Sequence, residues 1–330
     1  MSKFAVSIVG GGGTVGAAIL DQLQPHFGSF DVRILSSRPS SDFAEAVRQG
    51  FTHCQISYSA PAEELIEVLQ GTQAVVLALS SQQGDIEATS RRFLSAAVQA
   101  RVPNVIPSDF SGDLDAEHLE ELLVWNGKRA IRQYVRQLQS AIEQDANRQQ
   151  AFSWASISNG SFLEWALARG FSGFDVVDRR ARLVDDGVGT FATTSVATVA
   201  EAVVAVLEKF RKPDGQALNR SFHVADAVVT QRQLLAYFEK HTGATWTTTA
   251  IDSDVQLADG LALYKSGQIG PGYGKVITSV ILGRQVRYAD VATFKRERVR
   301  QNMKDLGIRA KEGIVEQAVA DAIAAGREAK

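Results

Sequence analysis

A short apolar strand that runs straight into four consecutive glycines constrains this chain more than any other stretch. Phe4 to Val9 (FAVSIV) suits a strand buried on both faces, and Gly10, Gly11, Gly12 and Gly13 follow at once. Beyond them Val15, Ile19 and Leu23 recur at helical spacing, so the glycines stand where a strand ends and a helix begins. Gly11-x-Gly13-x-x-Gly16 and Gly10-x-x-Gly13-x-x-Gly16 both fit dinucleotide-binding spacings in that context. Physically, such glycines serve a tight turn, a backbone that lets a pyrophosphate come close, and close packing of helix on strand. The helix start adds free N–H groups and a positive dipole end. The expectation is a cofactor cradle made of Gly10, Gly11, Gly13, Thr14, Val15 and Gly16.

The second strand indicates which dinucleotide. Phe30 to Leu35 ends at Ser36, Ser37, Arg38 and Pro39, where an NAD-binding chain supplies Asp or Glu to the ribose 2′-hydroxyl. No acid stands there, and Asp31 is at the wrong end of the strand. Two hydroxyls and a guanidinium suit a 2′-phosphate, so NADPH/NADP+ is the expected cofactor. The alternative is an Arg38 that only caps a solvated loop.

The 330 residues exceed one ordinary domain, and alternating strands and helices over the first half indicate a parallel sheet. Strands are expected at 52–56, 74–79, 104–106 and 151–157, with helices near 42–49, 61–70, 86–100 and from about Asn126. The fold class is α/β: a Rossmann-type doubly wound parallel sheet with a smaller C-terminal α+β substrate region. Residues 1–157 form the NADP(H)-binding Rossmann domain, and 158–330 a mainly substrate-binding region packed on it. In the second half, helices are expected over 198–210, after the capping box Thr230-x-x-Gln233, over 253–264 and over 314–325. Gly267 to Gly274, with four glycines, a proline and no periodicity, reads as a loop, either a lid or a plain connector.

Composition narrows the class. A hydrophobic fraction of 45%, a charged fraction of 22% and a net charge of −2 are ordinary for a globular protein, and offer no electrostatic footprint for nucleic acid or anionic membrane. Cys54 is the only cysteine, so no intrachain disulfide and no thiolate metal cluster can form. The five histidines show neither HxxxH nor HExxH spacing, and no metal is expected. With no long apolar run and no leader-like segment ahead of the first strand, a cytoplasmic location is expected, as a monomer or homodimer.

Candidate site residues gather at the carboxyl ends of the strands, where open α/β sheets bind ligands. They are Ser80 and Ser81 after strand four, Ser108 and Phe110 after strand five, and Ser158, Asn159 and Phe162 after strand six. Lys128 stands three residues before Ile131 and seven before Val135 on one helix, which places it on the inward face. It is either functional or a lysine snorkelling from the first turn.

The ordered set of GxxGxxG, Ser36-Ser37-Arg38, Ile106-Pro107-Ser108-Asp109-Phe110, Lys128-x-x-Ile131-Arg132 and Ser158-Asn159-Gly160-Ser161-Phe162 resembles the atypical short-chain dehydrogenases/reductases of the isoflavone reductase-like and NmrA-like group. Fungal isoflavone reductase-like members of secondary metabolism are the most similar. The resemblance implies an NADPH-dependent oxidoreductase that transfers hydride to a small aromatic or conjugated substrate. It also implies that Lys128 contacts the nicotinamide ribose and assists proton transfer, and that Phe110, Asn159 and Phe162 contact substrate; the alternative for Phe110 and Phe162 is that each is an ordinary core aromatic. The Tyr-x-x-x-Lys pair of ordinary short-chain dehydrogenases is missing: Tyr134 is followed by Leu138 and Tyr237 by His241. Ser111 replaces the usual Gly after the Phe, and Gly160 and Ser161 intervene before Phe162, so plant substrates do not transfer. The second reading is an NmrA-like, non-catalytic dinucleotide sensor acting on a partner protein; the inward Lys128 argues against it.

Overall fold

The computed structural model describes residues 2–80, 85–145, 152–212, 217–284 and 294–328. Strand β1 (Phe4–Val9) is flanked by β2 (Phe30–Ser36) and β3 (Thr52–Gln55) on one side. On the other side come β4 (Ala74–Leu77), β5 (Asn104–Ile106) and β6 (Ser153–Ser158), and every pairing is parallel. Chain direction across the sheet reverses between β1 and β4. That switch point opens a crevice at the carboxyl ends of both strands.

Two helical layers cover the sheet, as strands buried on both faces require. Val6 and Ile8 pack with Ile19 and Leu23 of α1 (Thr14–Leu23), while Val9, Val75 and Leu77 point the other way. Against the second face lie α3 (Ala62–Leu69), α4 (Ile86–Gln99) and α5 (Asn126–Gln144), through Leu65, Phe93 and Ile131; the short α2 (Ala44–Arg48) follows β2. Each such side chain withdrawn from water contributes roughly 1.5–3 kcal/mol, so the strand ends form a rigid platform.

At the glycine turn, Gly10 has φ +88°, and a Cβ there would lie 2.5 Å from the carbonyl oxygen of Ala78. A Cβ at Gly16 would meet the backbone of Gly10 and lie 2.7 Å from the Cα of Gly11. Both positions therefore require glycine. The expected strand at 74–79 is shorter: Ala78 to Ser80 leave the sheet and enter the crevice wall.

The second half builds two small sheets. β7 (Ser161–Phe162), β10 (Thr190–Thr194) and β12 (Ala227–Thr230) form one; β8 (Phe174–Asp175), β9 (Arg180–Val184) and β13 (Thr247–Ile251) form the other. The chain also returns to the first sheet. Helix α7 (Val196–Phe210) packs Val199 and Val203 onto the α1 face, and β11 (Arg220–His223) adds a seventh parallel strand beside β6. Both elements lie beyond residue 157, the end of the expected cofactor domain. A third core joins α6 (Leu163–Ala168), α8 (Gln231–Thr242) and α12 (Ile314–Glu328) around Leu167, Phe238 and Val319, and α11 (Arg296–Leu306) lies against β11. The capping box at Thr230 and Gln233 is present. Among the described residues, no helix is long and apolar enough to cross a membrane.

One expectation is overturned. The glycine-rich stretch is not a loop: α10 (Ile269–Leu282) begins within it and packs on α9 (Ser253–Lys265). Pro271 is the third helical residue, where a missing N–H costs no helical bond. Gly272 is closed in by the Tyr264 nitrogen and the Gly260 carbonyl, 2.6 and 2.8 Å from where a Cβ would stand. The glycines thus serve close helix crossing, which local periodicity cannot reveal.

Candidate active site

A cavity of about 220 Å³ lies over the crevice. Gly13, Thr14 and Val15 contribute the glycine turn and the start of α1; Leu79 and Ser80 follow β4, and Phe110 and Ser111 follow β5. No side chain caps α1 at Gly13, which leaves the N–H groups of its first turn without a side-chain acceptor. An anion is the natural partner of such an end. With the close-packed glycines beside it, this turn fits a dinucleotide pyrophosphate.

Arg38 lies against that turn. Its Nη1 donates to the Gly12 carbonyl at 3.0 Å, its Nε pairs with Asp42 Oδ2 at 2.6 Å, and its guanidinium sits 5.9 Å from the Phe43 ring centre. These contacts fix Arg38 at the strand tip while its side chain stays about half exposed. Asp42 was not foreseen as its partner, although the i, i+4 spacing was there to read. Ser36 is buried and accepts the Arg38 N–H at 3.1 Å, which shapes the tip, while Ser37 is exposed beside it.

Lys128 and the aromatic side chains occupy the other end. Helical spacing on α5 carries Lys128 inward, half-buried, and its Nζ donates to the Phe110 carbonyl at 2.5 Å. Burial lowers its pKa to about 8, against an opposing pull from the Asp109 carboxylate. Trp125, Phe162, Trp165, Phe171 and Tyr273 wall the cavity, with Ile277 and Ile281 of α10 behind. Burial, with Tyr264 adding to it, pushes the Tyr273 phenol up to about 12, so it stays neutral over any ordinary pH range.

Not every expected residue reaches the cavity. Gly10, Gly11 and Gly16 form the turn beneath it. Ser108 is buried and ties β5 to β4 through a 2.8 Å bond from its Oγ to the Leu79 carbonyl. Ser158 and Asn159 are fully buried; Asn159 N–H donates to the Ser111 carbonyl at 2.8 Å, and its Nδ2 to the Gly160 carbonyl at 3.2 Å. Neither is among the residues that line the cavity, where this segment contributes Gly160 and Ser161. Ser81 lies outside the described residues. The sequence reading missed Trp125, Trp165, Phe171 and Tyr273. Trp165 stands three residues past Phe162 and could have been found there; Tyr273 comes from a distant helix and carries no local signal.

Among the described residues, one group could offer metal ligands within 4.8 Å of one another, the exposed His118, Glu120 and Glu121; none of the three lines the cavity.

Residues 2–261 match the model of the NmrA-like family. The oxidoreductase aprR of Aspergillus flavus is 26% identical over 254 residues, which is 76% of this chain and 78% of that protein. The binary complex of leucoanthocyanidin reductase and NADPH from Vitis vinifera superposes with a TM-score of 0.69 at 17% identity, over 97% of this chain and 99% of that one. An NADPH-dependent quinone oxidoreductase from Escherichia coli, complexed with NADPH, gives 0.67 at 18%, over 97% and 99%. At those identities the two structures are likenesses of fold.

Proposed function

This chain belongs to the NmrA-like family, and on that premise we propose that it is an NADPH-dependent oxidoreductase acting on a small aromatic or conjugated molecule. The observation that carries the proposal is the shared cavity: the start of α1, suited to an anion, and the inward ammonium of Lys128 line the same space. The names of the relatives support it, since aprR is an oxidoreductase and both neighbouring structures are NADPH complexes.

NADPH, when bound, supplies hydride from nicotinamide C4. The protein does the rest. Gly10, Gly11, Gly13, Thr14, Val15 and Gly16 receive the pyrophosphate, and Ser36, Ser37 and Arg38 the 2′-phosphate. Ser80 in the cavity wall, and the buried Ser108, Ser158 and Asn159 beside it, serve the nicotinamide side; Ser81 is proposed as a cofactor contact from its place in the sequence alone. Lys128 holds a proton beside the acceptor atom of the substrate and delivers it as negative charge develops there. Phe110 and Phe162, with the tryptophans, exclude water and grip a flat substrate. Residues 1–157 mainly serve the cofactor and 158–330 mainly the substrate, with α7 and β11 reinforcing the first body.

Titration with NADPH, NADP+ and NADH tests the reading without a known substrate, following nicotinamide fluorescence for the reduced forms and heat for all three. NADPH binding at least as tight as NADP+, and well above NADH, is expected. A clear preference for the oxidised dinucleotide overturns the reductase in favour of a sensor.

A further inference from the structure

The turn after β5 grips α5 at two points one helical turn apart. At residue 110 the backbone carbonyl takes the Lys128 ammonium, and at residue 109 the side chain takes Arg132, four positions further along the helix. Asp109 and Arg132 are both fully buried. Arg132 Nε donates to Asp109 Oδ2 at 2.7 Å, Nη1 reaches Asp115 at 2.9 Å and Ser221 at 2.6 Å, and Nη2 reaches Ser156 at 2.6 Å. Ser156 in turn donates to Asp109 Oδ2 at 2.6 Å. Four segments of chain therefore lock one guanidinium.

That arrangement leaves an asymmetry. Both partners of the Asp109 carboxylate converge on Oδ2, and Oδ1 has no hydrogen-bond partner among the described residues. Its charge is compensated on one side only. Residues 109 and 110 are adjacent, as are the turns bearing Lys128 and Arg132, so one short turn holds both side chains of the helix. Other charged groups nearby are Arg132 on the same helix, and Asp113 and Asp115 beyond the turn; across the cavity stands the neutral Tyr273 phenol. Of these, Asp109 is the charge that acts on Lys128, opposing the effect of burial.

We propose that Asp109 is a positioning residue for Lys128: clamped on Arg132, it fixes the rotation of α5 that brings the ammonium to the Phe110 carbonyl, and it provides the negative charge the ammonium faces. The proposal rests on Lys128 being the proton donor of the reductase, but its test does not. A buried ion pair is weak evidence for stability, because desolvation offsets the Coulomb gain, which favours a role in placement over one in holding the fold.

The test measures the pKa of Lys128 directly. The folded protein is labelled competitively with acetic anhydride across a pH series, and the Lys128 peptide is quantified by mass spectrometry, with Lys128→Met identifying its signal. In Asp109→Asn the Lys128 pKa should fall from about 8 by about one unit, the lower end of the effect of one opposite charge at close range. That is a tenfold loss in proton affinity. In Ser156→Ala, which removes a hydrogen bond from the same carboxylate and keeps its charge, the pKa should stay in place, and Asp109→Glu should restore most of it. The double variant Asp109→Asn/Arg132→Met removes the ion pair as a unit and carries the test where the single variant unfolds. Because it takes away a nearby positive charge together with the negative one, it is read by placement: the neutral Lys128 amine, no longer held at the Phe110 carbonyl, should be acetylated several-fold faster. An unchanged Lys128 pKa in folded Asp109→Asn overturns the proposal, as does an equal fall in Ser156→Ala, or an unchanged acetylation rate of the neutral amine in the double variant. A protein without reductase activity would still give this result, so failure of the functional reading is read separately, from turnover.

Discussion

The Lys128 ammonium donates to the Phe110 carbonyl at 2.5 Å, joining the first turn of α5 to the turn that follows β5. That bond has two consequences. It holds a long, flexible side chain in one place at the cavity wall, and it leaves the other two ammonium protons to face the cavity or its ligands. Phe110 thus gives its backbone to the lysine and its ring to the wall.

Lys128→Met should leave NADPH affinity within about tenfold and lower turnover by roughly 10² to 10⁴, the usual worth of general acid–base assistance. Single-turnover kinetics with NADPH and any accepted substrate check this. Undiminished turnover would remove Lys128 from the mechanism.

The pH dependence follows from the same residue. The ordinary lysine pKa is lowered here to about 8, so the proton-bearing form is complete below that value and is lost as pH rises through it. Turnover should therefore fall on the alkaline side, with an apparent pKa near 8. Tyr273, pushed up to about 12, does not titrate in that range. Tyr273→Phe should leave the alkaline limb where it is, and a limb that moves would implicate the phenol.

Arg38→Ala should weaken NADPH by about ten- to a hundredfold, the affinity equivalent of losing a charge-assisted contact worth roughly 1.5–3 kcal/mol. NADH, which has no 2′-phosphate, should lose much less. Equal losses would mean that the Arg38 bond to the Gly12 carbonyl serves only to shape the glycine turn.

Gly272→Val bears on the α9–α10 crossing. The added side chain has backbone atoms of Tyr264 and Gly260 within 3 Å, and both helices must shift. Overpacking of this kind costs typically 1–3 kcal/mol, so thermal unfolding should move down by several degrees. Because α10 carries Tyr273 and Ile277 into the cavity, substrate KM should rise while NADPH affinity holds. A variant as stable as the parent would show that the crossing has room to yield.

The amino-acid sequence by itself determined the first body. β-branched strand, glycine turn and amphipathic helix are local patterns, and their alternation left few topologies for β1 to β6. It also placed Lys128, because helical spacing reports which way a side chain points relative to its neighbours. Only the tertiary structure decided the rest. Helix α7, which begins 39 residues beyond the predicted boundary, packs onto the first body, and strand β11, 63 residues beyond it, rejoins the first sheet; such long-range pairing leaves no mark on local periodicity. The stretch from Gly267 to Gly274 read as a loop because glycine disfavours helix, but contact with α9 outweighs that propensity. Asn159 illustrates the opposite limit. Its place at a strand end suggests a ligand contact, and only the structure shows it fully buried, with its N–H on the Ser111 carbonyl, since exposure is a property of the assembled neighbours and not of the residue.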